Sequence, residues 1–212
     1  MKKVGILLGV VGLLLLVGVT WRLASRRRSL PCPVWLRWFV ELDNPFTRTN
    51  RAATIIEHLE LEDDMAVLDV GCGPGRVAVP LAERVPKGEV VAVDIQDGML
   101  RRAKEKAQNA HVPNIRFVQA GAGEGKLERN HFDRALLVAV LGEIPNQQAA
   151  LHEIFDALKP GGILSVTELI FDPHFQSRRK VTQLAEAAGF REHKFFGTRL
   201  AFTLNLQKLA IG

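Results

Sequence analysis

Hydrophobic and polar positions divide the chain into an apolar N-terminal segment and a longer part in which short apolar runs alternate with amphipathic ones. Runs of branched aliphatic residues are typical of buried parallel strands, and apolar residues spaced three or four apart are typical of helices. The runs predict strands at 67–70, 89–94, 115–119, 132–141, 163–168, 193–196 and 200–206, and helices at 49–60, 76–85, 97–107, 146–158 and 177–188. This alternation predicts an α/β fold.

The first predicted strand ends in a turn with three glycines spaced two apart, Gly71, Gly73 and Gly75. Glycine tolerates positive φ and lets a ligand approach the backbone, and the free N–H groups of the following helix would face that ligand. Many purely structural turns are also rich in glycine. The second strand ends in Asp94, which in a doubly wound sheet lies beside the first turn, where an acid accepts hydrogen bonds from ribose hydroxyls.

Four features in this order resemble class I S-adenosylmethionine-dependent methyltransferases: the glycine turn, Asp94, the pair Phe132-Asp133, and the run 158–162. The resemblance covers roughly residues 50–212. It implies a Rossmann-like, seven-stranded, mostly parallel sheet with an antiparallel last strand, and S-adenosyl-L-methionine as cofactor. A dinucleotide dehydrogenase would place its third glycine one residue later.

The resemblance also implies a set of cofactor-binding residues at the carboxyl ends of the strands. The glycines would approach the methionine part, Asp94 would hold the ribose, and the run Val138 to Leu141 would border the methyl group. Ile95 and Met99 would pack on the adenine, although both equally fit an ordinary core. The predicted set is Asp69, Gly71, Cys72, Gly73, Gly75, Asp94, Ile95, Met99, Ala120, Gly121, Ala122 and Val138.

One acidic residue that the family commonly has after the third strand is absent here. Gly121 or Ala122 stands in its place, so the backbone of Ala120, Gly121 and Ala122 is expected to reach the adenine instead. Glu124 is a weaker candidate for the missing contact.

Methyl transfer from a sulfonium depends mainly on alignment, so no metal is expected. A protonated acceptor also needs a general base. The candidates are Glu143, Glu168 and His174, which all follow buried strands on the same edge of the predicted sheet. His174 equally fits a turn residue bonded to the backbone.

The N-terminal segment Val4 to Trp21 is an 18-residue stretch without a charge. About 20 apolar residues cross a bilayer as a helix. Arginines 22 and 26–28 follow it, which by the positive-inside rule leaves the catalytic domain in the cytoplasm. The alternative is a cleaved signal peptide, because Lys2 and Lys3 precede the apolar run, but a clean cleavage site is missing.

These patterns divide the chain into a membrane anchor with a basic flank (1–30), an interfacial aromatic segment and linker (31–48), and a methyltransferase domain (49–212). The aromatic segment, with Trp35 and Trp38, either lies on the membrane surface or docks on the domain. Gly5 and Gly9 form a pair that could pack two anchors into a homodimer.

The net charge of +5 does not indicate a nucleic-acid partner. Six of the 28 lysines and arginines lie in residues 1–30, which contain no acid, so the rest of the chain is close to neutral. The sequence therefore predicts a membrane-anchored methyltransferase that acts on a lipid or other hydrophobic small molecule. A protein methyltransferase and a non-catalytic S-adenosylmethionine-binding scaffold are the alternatives.

Overall fold

The computed structural model describes residues 47–209 together with residues 12, 20, 41 and 43. Most of the predicted anchor and most of the aromatic segment lie outside these described residues. Within the described part, each helix is too short or too polar to cross a bilayer. The predicted division of the chain near residue 48 stays a prediction.

Five helices and seven strands form the described domain. The helices are α1 (Ala52–His58), α2 (Ala78–Arg84), α3 (Asp97–Asn109), α4 (Gln147–Ala157) and α5 (Arg178–Ala187). The strands are β1 (Ala66–Val70), β2 (Glu89–Asp94), β3 (Ile115–Gln119), β4 (Phe132–Val138), β5 (Leu158–Leu169), β6 (Phe190–Gly197) and β7 (Ala201–Lys208). Short 3-10 turns occupy Arg48–Asn50 and Leu141–Glu143.

The seven strands form one sheet in the order β3-β2-β1-β4-β5-β7-β6. Strands β1 to β5 pair in parallel, and β7 runs antiparallel to both β5 and β6. The predicted seven-stranded, mostly parallel sheet with an antiparallel last strand is therefore confirmed. The strand order reverses between β1 and β4, and ligands of such sheets bind in the crevice outside the carboxyl ends at that point.

Each face of the sheet has its own apolar core. On one face Leu137, Leu164 and Phe202 pack in a cluster with residues of α4 and α5, and on the other Val67 and Leu136 pack with residues of α1 and α2. All five side chains are fully buried. Burial on both faces explains why the parallel strands read as continuous apolar runs.

Several predicted boundaries differ from the structure; helix α1, for example, begins at Ala52 instead of Thr49, and strand β6 begins at Phe190 instead of His193. Strand β4 ends at Val138 instead of Leu141, because Ala139 has a left-handed backbone with φ of 56° and a 3-10 turn follows. Strand β5 begins at Leu158, which pairs with Phe132, so the run expected only to end a helix already belongs to the sheet. Helix α2 begins at Ala78, two residues later than predicted.

Candidate functional site

The glycine turn links β1 to α2 and is tied to β2. Gly71, Gly73 and Gly75 all have positive φ, at 73°, 53° and 79°. The N–H groups of Gly71 and Cys72 both donate to the carbonyl oxygen of Val93, at 2.7 and 3.0 Å. The turn is therefore held directly beside the carboxyl end of β2.

The three glycines are needed for different reasons. A Cβ on Gly71 would lie 2.6 Å from both methyl carbons of Val140, and one on Gly75 would lie 3.0 Å from the Cβ of Ala103. A Cβ on Gly73 would meet nothing within 4 Å. Two glycines thus allow close packing, whereas Gly73 leaves open space at the turn where a ligand can approach the backbone.

Asp94 joins the end of β2 to the glycine turn. Its Oδ2 accepts the Gly73 N–H at 2.9 Å, and its Oδ1 accepts the Gln96 N–H at 2.8 Å. Burial raises the pKa of this carboxyl group, and the two N–H groups lower it. Each carboxylate oxygen can accept more than one hydrogen bond, so the group fixed by the turn keeps capacity for ribose hydroxyls.

Asp69 is a second buried acid, in β1 just before the turn. It is 2% exposed, and its Oδ2 has no hydrogen-bond partner. Burial raises its pKa to about 7, with Arg76 lowering it and Asp94 raising it. A buried carboxyl oxygen without a donor is costly. The ammonium group in the methionine part of S-adenosylmethionine is a donor of the kind this atom lacks, so these residues fit the cofactor.

Cys72 lies between the first two glycines, and its thiol is buried and free. Burial, followed by the negative charges of Asp69 and Asp94, raises its pKa well above the usual value. The thiol is therefore kept protonated and is not a nucleophile at this turn.

The loop after β3 lies beside Asp94, since the Ala120 N–H donates to the Asp94 carbonyl oxygen at 3.2 Å. Glu124 folds back over this loop, and an ion pair with Lys126, followed by the Gly121 N–H, lowers the pKa of its carboxyl group. Glu124, the acid considered for the adenine contact, is thus already bonded to the loop's own backbone.

Ile95 and Met99 differ in environment. Ile95 is 56% exposed directly after β2, where a ligand can contact it, whereas Met99 is 2% exposed and sits among core residues. Val138 ends β4 beside Thr167 of β5. The structure thus groups the predicted cofactor residues at the carboxyl ends of β1 to β4, and their role in binding stays a prediction.

The three candidate bases also lie together, at the carboxyl ends of β4 and β5. His174 is 5% exposed, and neither ring nitrogen has a hydrogen-bond partner. Its Nδ1 lies 3.8 Å from Oε1 of Glu143 and 3.8 Å from Oδ1 of Asp172. The same ring nitrogen of His174, Nδ1, therefore faces both carboxylates.

Glu168 lies under the same loop. It is 1% exposed; its Oε2 accepts the Gln176 N–H at 2.8 Å, and its Oε1 has no partner. Burial, with a smaller contribution from Asp172, raises its pKa to about 8, against the effect of the Gln176 N–H. The loop is closed by the Gln176 side chain, which donates to the His174 carbonyl oxygen at 2.7 Å.

One neighbour of these groups was missed in the sequence. Asp172 contacts His174, and its position two residues before a candidate base was the only available signal. Val140 belongs to the run Val138 to Leu141 expected at the methyl group, but its packing on Gly71 is indicated by no pattern in the chain.

Comparison with known proteins agrees with this geometry. Residues 67–162 match the family model of a methyltransferase domain. The chain is 31% identical over 155 residues to trans-aconitate 2-methyltransferase from Rhodopseudomonas palustris, covering 69% of this chain and 58% of that protein. It is 38% identical over 112 residues to the ubiquinone/menaquinone biosynthesis C-methyltransferase of Pasteurella multocida, covering 50% and 42%. The chain thus spans about half the length of these curated relatives.

The fold has a counterpart among solved structures. A crystal structure of a SAM-dependent methyltransferase from Aquifex aeolicus superposes with a TM-score of 0.75 at 21% identity, covering 84% of this chain and all of that one. The matched domain, the glycine turn with its two buried acids, and the strand order together show that the chain contains a methyltransferase domain of the class I S-adenosylmethionine-dependent kind, whose members use S-adenosylmethionine as cofactor.

Proposed function

We propose that this chain transfers a methyl group from S-adenosylmethionine to a lipid or another hydrophobic small molecule at a membrane. When bound, S-adenosylmethionine supplies a methyl group on a positively charged sulfonium, which is already activated for transfer. The chain then has to hold the cofactor, align the acceptor and, where the acceptor is protonated, take up its proton.

The observation that most strongly supports methyltransferase activity is the pair of buried acids at the glycine turn. Asp94, fixed by the Gly73 and Gln96 N–H groups, would accept the ribose hydroxyls. Asp69, whose Oδ2 has no partner, would accept the cofactor's ammonium group. Holding two reactants in alignment can supply about 7–11 kcal/mol of the barrier reduction.

His174 is the residue best placed to take the acceptor's proton. Its Nδ1 faces the carboxylates of Glu143 and Asp172, and Nε2, which is buried and has no hydrogen-bond partner in the described part, is the nitrogen that would take up the proton. The two carboxylates would stabilise the positive charge that the imidazole gains. Glu168, with a pKa of about 8, is mostly protonated at neutral pH and adds no third negative charge.

The acceptor class rests on two supports. Curated relatives are named as enzymes of small molecules, trans-aconitate in one case and ubiquinone/menaquinone biosynthesis in another. The uncharged stretch from Val4 to Trp21 and its basic flank support a single-pass anchor with the domain on the cytoplasmic side. An anchored enzyme meets acceptors that partition into the bilayer. Pairing of two anchors through Gly5 and Gly9 is a further proposal.

Incubation of membranes that contain the full chain with S-adenosylmethionine radiolabelled in its methyl group tests this proposal. Label should appear in the organic phase after lipid extraction, and the Asp94→Asn variant should reduce it strongly. Label confined to protein would contradict the proposed acceptor class and favour a protein methyltransferase.

The non-catalytic scaffold remains a second candidate because of one observation. The acid expected after β3 is missing, and the Gly121 N–H is already bonded to Glu124. Calorimetric titration with S-adenosylmethionine separates the two functions. Binding without label transfer to any fraction would favour the scaffold.

A further inference from the structure

Large apolar side chains are exposed together at one edge of the domain. Among the described residues, Phe171 is 83% and Leu200 is 57% exposed. The two are brought together by the chain itself, because the Ile170 N–H donates to the Leu200 carbonyl oxygen at 2.7 Å. Phe171 follows β5, and Leu200 lies in the hairpin between β6 and β7. Both therefore lie at the carboxyl edge of the sheet, where the candidate site opens.

Three basic residues lie in the segments that adjoin these apolar residues in the fold. Arg199 precedes Leu200, and Arg179 and Lys180 lie in the first turn of α5, which begins at the same edge. All three are exposed, and none takes part in an ion pair with another residue of the described part. The nearby Arg178 is paired with Glu192. We call Phe171, Arg179, Lys180, Arg199 and Leu200 the edge patch.

Acidic groups at this edge point inward. Glu168 is buried, and Asp172, with 17% of its side chain exposed, lies against His174. The outer surface thus combines two apolar side chains with three positive charges outside any ion pair of the described part, and Glu186 and Glu192 line the same groove as Arg179. Such a combination is typical of surfaces that lie in the headgroup layer of an anionic bilayer.

The N-terminal residues join the domain at the same edge. The 3-10 turn Arg48–Asn50 packs against β5 and β7. Arg76, directly after the glycine turn, donates to the main-chain oxygen of Asn50 at 2.5 Å and to its Oδ1 at 3.0 Å. Glu41 also pairs with Arg102 and Lys106 of α3, the helix that follows the carboxyl end of β2. An anchor in residues 1–30 would therefore attach to the domain at its carboxyl edge.

We propose that the edge patch is a docking surface for an anionic lipid bilayer, with Phe171 and Leu200 at the level of the headgroups and Arg179, Lys180 and Arg199 on lipid phosphates. The candidate site then opens onto the membrane, and the acceptor enters from the lipid. This inference rests on the membrane location proposed above and adds the orientation of the domain.

Fluorescent probes on the full chain in lipid nanodiscs test the orientation. In a Cys32→Ser background, which leaves only the buried Cys72, a bimane label is attached to Phe171→Cys, Leu200→Cys or, as control, Asp64→Cys. Asp64 is exposed in the loop before β1, at the opposite edge. Nitroxide-labelled lipids should quench the probes at 171 and 200 and leave the probe at 64 unquenched, more so with anionic than with neutral lipid.

Charge reversal tests the electrostatic part. Arg199→Glu should lower the ratio of docked to undocked domains by about fivefold per unit of charge changed. The matched control is Arg191→Glu, since Arg191 is also exposed but lies at the other end of β6. The control should leave quenching unchanged.

Two results would contradict the docking surface but not the membrane anchor. In the first, the chain is incorporated into nanodiscs, but the probes at 171 and 200 are quenched no more than the probe at 64. In the second, the quenching does not depend on the charge of the lipid. A blue-shifted but unquenched probe whose signal grows with protein concentration would instead identify a second copy of the chain as the occupant. Failure of the full chain to associate with any nanodisc would overturn the membrane location as well.

Discussion

At the scale of single residues, Asp94 combines a structural and a binding role in one carboxylate. Its two oxygens fix the Gly73 and Gln96 N–H groups, and the same oxygens are proposed to accept ribose hydroxyls. A side-chain amide has one acceptor oxygen where the carboxylate has two, and it carries no charge. The consequence is a loss of affinity that does not depend on a large change of shape.

We therefore expect Asp94→Asn to weaken S-adenosylmethionine binding about 10- to 150-fold for each charge-assisted hydrogen bond lost, at about 1.5–3 kcal/mol each. Calorimetric titration measures the dissociation constant. Asp97→Asn is the matched control, because Asp97 is three residues away and its carboxylate pairs only with Arg101 on the surface of α3. Equal affinity of wild type and the Asp94 variant would show that the ribose lies elsewhere.

His174 is the second residue whose role can be isolated. His174→Gln should lower the turnover of a protonated acceptor by about 10²–10⁴-fold, the usual contribution of a general base. It should also remove the imidazole's step from the pH profile of the rate and leave cofactor affinity unchanged. His152→Gln serves as control, since His152 is exposed on α4 and contacts Gln148. A parallel, unshifted pH profile in the His174 variant would assign the residue a structural role.

At the scale of elements, different glycines of the glycine turn serve packing and ligand access. Gly71 is pressed against Val140, whereas Gly73 borders open space, although both have positive φ. Left-handed backbone costs a residue with a Cβ roughly 1–2 kcal/mol in either case. Only at Gly71 does a steric clash add to that cost.

Gly71→Ala should therefore destabilise the protein more than Gly73→Ala, and the Val140→Ala background should recover part of the loss at Gly71 only. Urea unfolding of the wild type, of Val140→Ala, and of each glycine variant in both backgrounds measures the difference as two double-mutant cycles. Gly73→Ala should mainly weaken cofactor binding, because its Cβ would enter the open space. The reverse order of stabilities would contradict this assignment of the two glycines.

Most elements could be predicted from the sequence because the strands are buried on both faces. Val67–Val70 and Glu89–Asp94 consist mostly of aliphatic residues, and the structure places both strands within one residue of the prediction. The end of β4 could not be predicted, since the sequence remains apolar through Ala139, whose left-handed backbone breaks the strand. The hydrophobic pattern of a sequence indicates which residues are buried, but it does not indicate which residues have positive φ.

Of the candidate site, too, one part could be predicted from the sequence and another could not. Positions at the ends of strands could be predicted, because parallel strands bring their carboxyl ends to one edge. The meeting of His174 with both Glu143 and Asp172 could not, because it depends on how the loop after β5 folds back. Such a loop follows from a few hydrogen bonds, among them that of Gln176 to Glu168, that leave no periodic signal.

At the scale of the whole molecule, two buried acids give the fold a pH dependence. Burial raises the pKa of Asp69 to about 7 and that of Glu168 to about 8. The folded state therefore binds these protons more tightly than the unfolded state. The stability they contribute is complete below the unfolded pKa values and is lost as pH rises through the folded ones.

The free energy of unfolding should accordingly fall by a few kcal/mol between about pH 4.5 and pH 8, each pKa unit being worth about 1.4 kcal/mol. Glu168→Gln should flatten this fall and should be more stable than wild type at pH 8, since the amide keeps an acceptor for the Gln176 N–H. Urea unfolding across this pH range measures the effect. Glu186→Gln, at an exposed position of α5, should leave the slope unchanged. A Glu168 variant with the wild-type slope would contradict the burial of an ionisable group there.

The buried thiol of Cys72 has a consequence for kinetics. Because the sulfur is enclosed in the turn and protonated, an alkylating reagent can reach it only when the turn opens locally. The alkylation rate at Cys72 then measures how often the glycine turn between β1 and α2 opens. A ligand that binds at the glycine turn should slow alkylation of Cys72 in proportion to its occupancy. The alkylation rate of this native thiol therefore measures ligand binding without a methyl acceptor and without turnover.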